Sequence, residues 1–252
     1  MTMPTIFTPH EVRKYYQQEN VAQQYVKRRF HDPLNQVEHQ RQVSLLNAII
    51  AQLKPQKVLE FAPGPARLTT ELQIFGGTSI DASEKMIEIA RQRMKQKNKQ
   101  WTFLHADLFS SNLKLKQKFD LIFTFRFLLH FQEPQRRKIY QQAHRALNDK
   151  GYLVFEAMNK EVVLPLRKIL GKKRYFVYDH LYQKRQLINE LNENGFQVIK
   201  LYPVLSHFRI QAVLSRPFKI LGMHTFAQRL IKKGEHFPSD QPYEWIVLCQ
   251  KK

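Results

Sequence analysis

The chain has 252 residues, enough for one large α/β domain with its own core, and no linker or block of like charge divides it. Its 41 Lys plus Arg outnumber its 21 Asp plus Glu and give a net charge of +20. An anionic partner such as nucleic acid, phospholipid or an acidic substrate is therefore expected. The single cysteine, Cys249, excludes an internal disulfide and a cysteine-based zinc site.

The N-terminal sequence differs from a secretory signal. MTMPTIFTPHEVRKYY has no apolar core, and the longest apolar stretch, FDLIFTFRFLLHF at residues 119–131, is too short and too charged to cross a bilayer. We therefore expect a cytoplasmic protein. Its charge also favours peripheral contact with the inner surface of an anionic membrane, and we regard nucleic acid as the weaker candidate partner.

Two helices are predicted at the N-terminus, over residues 11–31 and 35–53, with Pro33 between them. Together they form a predicted helical lid over residues 1–54. After Pro55, strand and helix patterns alternate, which is typical of a parallel sheet with helical crossovers. The predicted strands are 57–61, 77–81, 101–105, 119–125 and 151–157, and the predicted helices are 66–75, 83–97 and 134–147.

Beyond residue 157 the pattern is less regular. Residues 160–179 show no clear periodicity, a helix is predicted at 181–194, and strands are predicted at 196–202 and 243–250. The predicted fold is an α/β, doubly wound, Rossmann-like sheet of seven strands, mostly parallel. It occupies residues 55–252 and forms one structural unit with the lid.

An insertion precedes the last strand. Between Gly195 and Gly234 the sequence holds seven Lys plus Arg and no acidic residue, together with large apolar residues such as Phe208 and Phe218. We expect residues 203–240 to form a basic, apolar, helical cap over the mouth of a substrate pocket. This composition suits an anionic membrane surface, although a solvated helical pair that covers the sheet edge has the same pattern.

Polar groups stand at the ends of four predicted strands. Glu60 ends the first strand, Asp81 ends the second, Asp107 follows the third by two residues, and Arg126 follows the fourth. In an open parallel sheet, ligands bind beyond the carboxyl ends of the strands, where the strand order reverses. We therefore predict a ligand crevice there, with Gly64 allowing the ligand to approach the backbone closely.

A dinucleotide-binding fold is the first alternative, because it also has a glycine turn after the first strand and an acid after the second. Its G-x-G-x-x-G fingerprint is absent, since APGPARL at residues 62–68 keeps only Gly64. The carboxylate of Glu60 would also repel a pyrophosphate. The pattern favours a ligand without phosphate that carries a cationic or hydrogen-bond-donating group.

EFAPGPA, at residues 60–66, resembles the first motif of the class I S-adenosylmethionine-dependent methyltransferases, in which an acid precedes three spaced glycines. Two of those glycines are alanines here, and the central one is kept. IDASEKMIEIARQR, FLHADLF and FDLIFTFRFLLHF are similar to the second, third and fourth motifs of that family. The resemblance covers residues 55–160, continues more loosely to the C-terminus, and implies an enzyme that uses S-adenosylmethionine.

The resemblance also implies roles for individual residues. Asp81 would accept hydrogen bonds from both ribose hydroxyls, Met86 would lie against the adenine, and Asp107 would bind the adenine amino group. Glu60 would order the turn and the methionine ammonium. The backbone of Leu108 would lie near an adenine ring nitrogen, and that of Phe125 near the methionine amine. Tyr25 and Arg29 of the lid would close the site, with packing in the helix core as the alternative for the tyrosine. The predicted cofactor-binding residues are Glu60, Ala62, Gly64, Asp81, Ala82, Met86, Asp107, Leu108, Phe125, Tyr25 and Arg29.

Two residues after the fourth strand are candidates for the chemistry. His130 is the candidate general base, with a histidine that starts a helix and faces solvent as the alternative. Arg126 follows a buried strand, where its charge needs a partner, so it either serves the site or forms a structural ion pair. We predict no metal site.

The range of possible methyl acceptors is narrowed mainly by the absence of sequence motifs that are typical of particular acceptors. TFRF stands after the fourth strand in place of the N/D-P-P-Y/F of amino-group methylators, and the chain has no Pro-Cys motif for cytosine C5 chemistry. We favour a small-molecule or lipid-like acceptor with an O, N or C nucleophile, methylated by proximity and in-line displacement. An RNA methyltransferase and a non-catalytic binding protein are the alternatives.

Overall fold

The computed structural model describes residues 8–16, 32–110, 113, 115–170, 177–237 and 239–252. The strands are β1 (Val58–Phe61), β2 (Gly76–Asp81), β3 (Gln100–His105), β4 (Phe119–Thr124), β5 (Leu147–Met158), β6 (Phe196–Val204) and β7 (Glu244–Lys251). They form one sheet in the order β3-β2-β1-β4-β5-β7-β6, in which β7 is antiparallel to both neighbours and the other pairs are parallel. The predicted seven-stranded, mostly parallel sheet is confirmed.

Helices flank this sheet. They are α1 (Pro9–Tyr16), α2 (Pro33–Leu53), α3 (Glu84–Gln96), α4 (Glu133–Ala146), α5 (Lys160–Leu170), α6 (Lys184–Glu193), α7 (Phe208–Ile220) and α8 (His224–Gly234). Two short 3₁₀ helices lie at Thr69–Glu71 and Leu128–His130. No helix within the described ranges is long and apolar enough to span a bilayer.

Each face of the sheet carries its own apolar core. On one face, the side chains of α4 and α6 pack against strand residues such as Phe155 and Phe196, and Arg136 Nε of α4 donates to Glu190 Oε1 of α6 at 2.8 Å. On the other face, α2 and α8 pack against strand residues that include Phe123. Covering both faces with helices buries the parallel strands, as a doubly wound fold requires.

The second N-terminal helix begins two residues earlier than the sequence predicts. Helix α2 begins at Pro33, where the Asp32 carboxylate accepts a hydrogen bond from the backbone of Leu34 at 2.8 Å and proline suits the first helical position. It ends as predicted at Leu53. The first predicted helix, 11–31, is described as α1 up to Tyr16, and residues 17–31 lie outside the described ranges.

The predicted helix over residues 66–75 is wrong. The structure has a turn followed by the single 3₁₀ turn Thr69–Glu71. Ala66 adopts φ +54°, which a right-handed helix does not allow, and the Thr69 hydroxyl bonds to the buried Glu60. The ammonium of Lys99 binds the carbonyls of Leu72 and Ile74, so these acceptors are satisfied without a helix.

The prediction of irregular structure over residues 160–179 is also wrong in part, because α5 occupies Lys160–Leu170. Pro165 lies inside this helix and has no N–H to donate. The carbonyl of Glu161, four residues earlier, instead accepts a hydrogen bond from Arg209 Nη2 at 3.1 Å. A long-range arginine contact therefore replaces the missing helical hydrogen bond, and local sequence does not reveal it.

The insertion before β7 is the predicted helical pair. Helices α7 and α8 form a hairpin that packs on α2 and on the end of β6. Phe208 of α7 stacks on Tyr243 with ring centroids 4.5 Å apart. The predicted position over the pocket mouth is wrong, because no described residue of 203–240 lines the cavity at the strand ends.

Candidate cofactor and active site

One cavity of about 480 Å³ lies at the carboxyl ends of β1, β2 and β4. Strands β1 and β4 are neighbours from which the strand order runs in opposite directions, so this is the topological switch point of the sheet. Thr8 and His10, at the start of α1, also line the cavity. The following predicted residues line it: Glu60, Ala62, Gly64, Asp81, Ala82, Met86, Asp107, Leu108, Phe125, Arg126 and His130. The predicted lid residues Tyr25 and Arg29 lie outside the described ranges.

The turn after β1 keeps the backbone shape of a glycine turn despite its alanines. Ala62, Gly64 and Ala66 have φ values of +51°, +54° and +54°. The Ala62 N–H donates to the Ile80 carbonyl of β2 at 2.8 Å, which anchors the start of the turn. At Gly64 a Cβ would meet no atom within 4 Å, so this position faces open space in the cavity wall. The two alanines therefore accept some conformational strain but do not prevent the turn.

Glu60 is a buried acid held by two hydroxyl groups. Its Oε2 accepts hydrogen bonds from Thr69 Oγ1 at 2.6 Å and from Ser79 Oγ at 3.0 Å. Burial and, to a smaller extent, the charge of Asp81 raise its pKa to about 7, although the two hydroxyl bonds lower it. Glu60 thus holds Thr69, just after the turn, whereas Asp81 binds the turn backbone at Gly64.

Asp81 joins the turn to the next helix. Its Oδ2 accepts the Gly64 N–H at 3.0 Å, and its Oδ1 accepts the Ser83 N–H at 2.8 Å. Ser83 in turn caps α3 by accepting the Met86 N–H at 3.3 Å, as its predicted N-cap role requires. Burial raises the pKa of Asp81 to about 6, although backbone hydrogen bonds, those from Ser83 and Gly64 among them, favour the ionised form. A carboxylate has about four acceptor sites, so not all of them are used by these two bonds.

Asp107 and two apolar side chains form the part of the cavity near β3. Asp107 Oδ1 accepts the Phe109 N–H at 2.9 Å, which fixes the loop after β3. The side chains of Met86 and Leu108 are buried at the cavity wall. A carboxylate between two apolar side chains can hold a flat ring that carries an amino group.

His130 is buried at the cavity wall, so the alternative of a solvent-facing histidine is wrong. Its Nδ1 lies 3.0 Å from Asp179 Oδ1 and 3.1 Å from the carbonyl of Tyr178. Arg167 Nη2 lies 2.6 Å from the other oxygen of Asp179. Two acceptors at Nδ1 place the proton there, which makes Nε2 the basic nitrogen of the neutral ring.

Asp179, which contacts His130, is one of the residues that sequence reasoning missed. Burial alone would raise its pKa, but the hydrogen bond with His130 and the charges of Arg126 and Arg167 lower it well below its ordinary value. The carboxylate is therefore ionised and orients His130. Its only sequence signal is one acid in YDHLY, within a stretch without periodicity.

Arg126 lies half-buried at the cavity wall with φ +59°. Its backbone N–H donates to the buried carboxylate of Glu156, and its Nη1 lies 3.7 Å from the sulfur of Met158. Burial raises the pKa of Glu156 to about 7, whereas the charge of Arg126 lowers it. The arginine therefore has an electrostatic partner in the core and a surface on the cavity.

Arg67 and Gln135 are further polar residues of the cavity that were not predicted. Arg67 is buried, with Nη2 at 3.0 Å from Gln42 Oε1 and with His39 as a second partner. Gln135 lines the cavity, and its Oε1 is buried without a hydrogen-bond partner among the described residues. A ligand that donates a hydrogen bond there would satisfy this oxygen. No group of three or more potential metal ligands occurs in the described ranges.

Comparisons with known proteins agree with this architecture. Residues 58–151 match the family of methyltransferase domains, and no curated protein sequence matches the chain. The magnesium protoporphyrin IX methyltransferase of Synechocystis, solved with bound S-adenosylhomocysteine, superposes with a TM-score of 0.67 at 16% identity, over 97% of this chain and 100% of that one. The N-methyltransferase NodS of Bradyrhizobium japonicum, in complex with S-adenosylhomocysteine, gives 0.57 at 16% identity, over 89% and 90%. The fold expected from the resemblance to class I methyltransferases is thus confirmed.

Proposed function

We propose that this chain, whose residues 58–151 match the methyltransferase domain family, transfers a methyl group from S-adenosylmethionine to a small-molecule acceptor. The observation that carries the proposal is the convergence of three strand ends on one cavity. Glu60, Asp81 and Asp107 all line it, together with the open backbone of Gly64. A cavity of about 480 Å³ lies in the range of small-molecule sites.

The residues present fit this cofactor chemically. A nucleoside offers a diol to the two oxygens of Asp81, an amino group to Asp107 and an apolar ring face to Met86. The methionine ammonium would meet Glu60, whose buried carboxyl gains from a cationic neighbour. The buried Oε1 of Gln135, which has no hydrogen-bond partner within the described ranges, would accept a hydrogen bond from a bound ligand.

The same residues disfavour a dinucleotide. A pyrophosphate would lie against the turn at Gly64, beside the carboxylates of Glu60 and Asp81. The two acids would repel the pyrophosphate. The single glycine gives the phosphates access to fewer backbone N–H donors than a dinucleotide-binding fold supplies. A ligand with an ammonium group and no phosphate avoids both difficulties.

We further propose that His130 removes the proton of the acceptor. When bound, S-adenosylmethionine supplies an activated methyl group on a sulfonium sulfur. Asp179 holds Nδ1 of His130 and favours the imidazolium that forms when Nε2 takes the proton from the attacking group. Arg167 keeps Asp179 ionised and in place. Arg126 would contact an anionic part of the cofactor or acceptor from the same wall.

The shape of the site supports a small-molecule or lipid-like acceptor rather than RNA. Beside His130 the cavity is lined by four phenylalanines, which give an apolar surface suited to an organic ring or chain. These are Phe109, Phe125, Phe127 and Phe131. An RNA enzyme would need an open basic groove leading to the site. The acceptor atom can be oxygen, nitrogen or carbon, since a single base serves each of them.

Calorimetric titration tests the cofactor assignment. The purified protein should bind S-adenosylmethionine and S-adenosylhomocysteine and should not bind a nicotinamide dinucleotide. Binding of the dinucleotide alone would contradict the proposal. The catalytic assignment is tested by incubating the protein with methyl-labelled S-adenosylmethionine and cell extract. Label in the organic-soluble fraction supports a small-molecule acceptor, label in RNA supports the alternative, and cofactor binding without transfer to any fraction would indicate a binding protein.

A further inference from the structure

Helix α7 buries two polar side chains and presents large aliphatic side chains to solvent, the reverse of an ordinary surface helix, although its half-buried Phe208 and Ala212 also pack on the core. Its buried residues are Gln211, 4% exposed, and Ser215, 0% exposed. Gln211 Nε2 donates to the Ile231 carbonyl of α8 at 2.8 Å, and Ser215 Oγ donates to the Ala212 carbonyl at 3.3 Å. Hydrogen bonds therefore hold the two buried polar side chains of the inner face, and large aliphatic side chains occupy the outer face.

The outer face of α7 forms one continuous apolar stripe. Its members recur at helical spacing along three turns, and the exposed fraction reaches 70% at Val213 and 77% at Ile220. The apolar stripe consists of Ile210, Val213, Leu214, Pro217, Ile220 and Leu221. Across the turn, exposed Met223 and Phe226 extend it onto α8. Scattered apolar residues on a surface need no explanation, but a contiguous stripe marks an interaction site.

Cations accompany the apolar stripe. Arg209 and Arg216 are seven residues apart and follow its border along α7, and exposed Arg229, Lys232 and Lys233 lie on α8. Within the described ranges, no ion pair is recorded for Arg216 or for these three residues of α8. Their charges are therefore directed to solvent and not neutralised by a neighbouring described acid.

The nearby acid is turned inward. Glu235 follows α8, and its carboxylate accepts the N–H groups of Leu205 and Ser206 at 3.1 and 2.8 Å and Gln211 Nε2 at 2.6 Å. Its side chain is almost fully buried. It closes the base of the hairpin and leaves the basic character of the outer surface intact.

We propose that the α7–α8 hairpin binds the surface of anionic phospholipid bilayers. The apolar stripe would lie at the boundary between headgroups and acyl chains, and the flanking cations would contact phosphate. The net charge of +20 attracts the whole protein to such a surface. The hairpin contributes no described residue to the cavity, so the inference stands independently of what the cavity binds.

Two other occupants fit the surface less well. A second copy of the chain would bring together two proteins that each have a net charge of +20, and the cations around the two stripes would repel each other. RNA would pair with the cations, but RNA-binding surfaces stack bases on aromatic rings. The apolar stripe on α7 is aliphatic, and its extension onto α8 adds one aromatic ring, that of Phe226. An anionic bilayer uses both the aliphatic surface and the charge.

Vesicle co-sedimentation of the full chain tests the inference. We expect binding to vesicles of phosphatidylglycerol mixed with phosphatidylcholine and none to phosphatidylcholine alone. Val213→Asp and Ile220→Asp should each reduce binding about tenfold, because a buried aliphatic side chain is lost and an anion is added. Phe75→Asp is the matched control, since Phe75 is 62% exposed and lies outside the hairpin. Phe75→Asp should change vesicle binding by less than about twofold relative to the unchanged protein.

A charge series provides a second readout that does not touch the apolar stripe. Replacing Arg216, Lys232 and Lys233 with glutamine should lower binding about fivefold for each cation at low salt. The same number of exposed cations removed elsewhere, at Lys95, Lys184 and Arg185, should lower it much less.

Three results would overturn the inference: binding to neither vesicle, equal loss in hairpin and control variants, or a stripe-dependent dimer without vesicle binding. RNA binding by gel shift at equal salt, lost in the charge series and retained in Val213→Asp, would assign the surface to RNA instead. Unchanged calorimetric binding of S-adenosylhomocysteine by Val213→Asp shows that the variant is folded and keeps the two proposals separate.

Discussion

Replacing Asp81 with alanine should weaken S-adenosylhomocysteine binding without unfolding the protein. The carboxylate gives one lone pair on each oxygen to the backbone, at 2.8 Å from Ser83 N and 3.0 Å from Gly64 N. A second lone pair on each oxygen is available to the two ribose hydroxyls. Hydrogen bonds to a charged group contribute about 1.5–3 kcal/mol, and water replaces part of that contribution in the alanine variant. We therefore expect a loss of about 1–3 kcal/mol, or roughly 5–150-fold in Kd.

Asp81→Asn separates the ligand contact from the support of the turn. The amide keeps the shape and one acceptor oxygen, so it can bind Ser83 N or Gly64 N but not both. Calorimetry with S-adenosylhomocysteine should give an intermediate affinity for this variant. Asp149→Ala, which removes a fully exposed acid from β5, is the control and should not change the affinity. An unchanged Kd in folded Asp81→Ala would remove Asp81 from the site and refute the reasoning.

The remaining predictions concern protons, catalysis and the turn. Glu60 has a pKa of about 7 against an ordinary 4.5, so its contribution to the stability of the ligand-free protein is largest at low pH and is lost as the pH rises through about 7. A cationic ligand favours the ionised form, so S-adenosylhomocysteine affinity should rise over the same window with measurable proton release, and Glu60→Gln should abolish that release. His130→Gln should lower kcat about 100-fold with unchanged cofactor affinity. Asp179→Asn should lower kcat less than His130→Gln does, because the amide oxygen can still accept the hydrogen bond from Nδ1 of His130 but carries no charge; an unchanged kcat would argue against the pairing. Ala62 has φ +51°, so Ala62→Gly should leave the free energy of unfolding unchanged or raise it by up to about 1 kcal/mol. Ala90→Gly, inside α3, should lower the free energy of unfolding by about 1 kcal/mol or more. Denaturant unfolding measures both. Destabilisation of Ala62→Gly equal to that of Ala90→Gly would contradict the strain at the turn.

The strand ends were predictable because local information suffices there. Alternating strand and helix patterns imply a parallel sheet, and a parallel sheet places Glu60, Asp81 and Asp107 at one edge. The N-cap of α3 at Ser83 was predictable for the same reason, since a cap depends on neighbours along the chain.

The features that sequence analysis missed depend on contacts between distant segments. Asp179 reaches His130 because its segment is held beside the sheet, where Asn159 and Tyr182 form a β-bridge. Helix α5 accommodates Pro165 because Arg209, far along the chain, binds the carbonyl of Glu161. Nothing within a short window of the sequence encodes such contacts.

The α7–α8 hairpin was predictable only in part. Its helices, charge and apolar content follow from composition, but the direction of the apolar stripe does not. The face of α7 that turns inward is set by Gln211 and Ser215, which bond within the hairpin. Helical periodicity alone would bury Val213 and Ile220 and expose these polar residues.

A crystal structure with S-adenosylhomocysteine tests the central claim most directly. The account predicts density for the ligand in the cavity at the ends of β1, β2 and β4, with both ribose hydroxyls within hydrogen-bonding distance of the Asp81 carboxylate. The adenine should lie between Met86 and Leu108, and its amino group should face Asp107. An empty cavity at saturating ligand, or a ligand bound away from Asp81, would contradict the account.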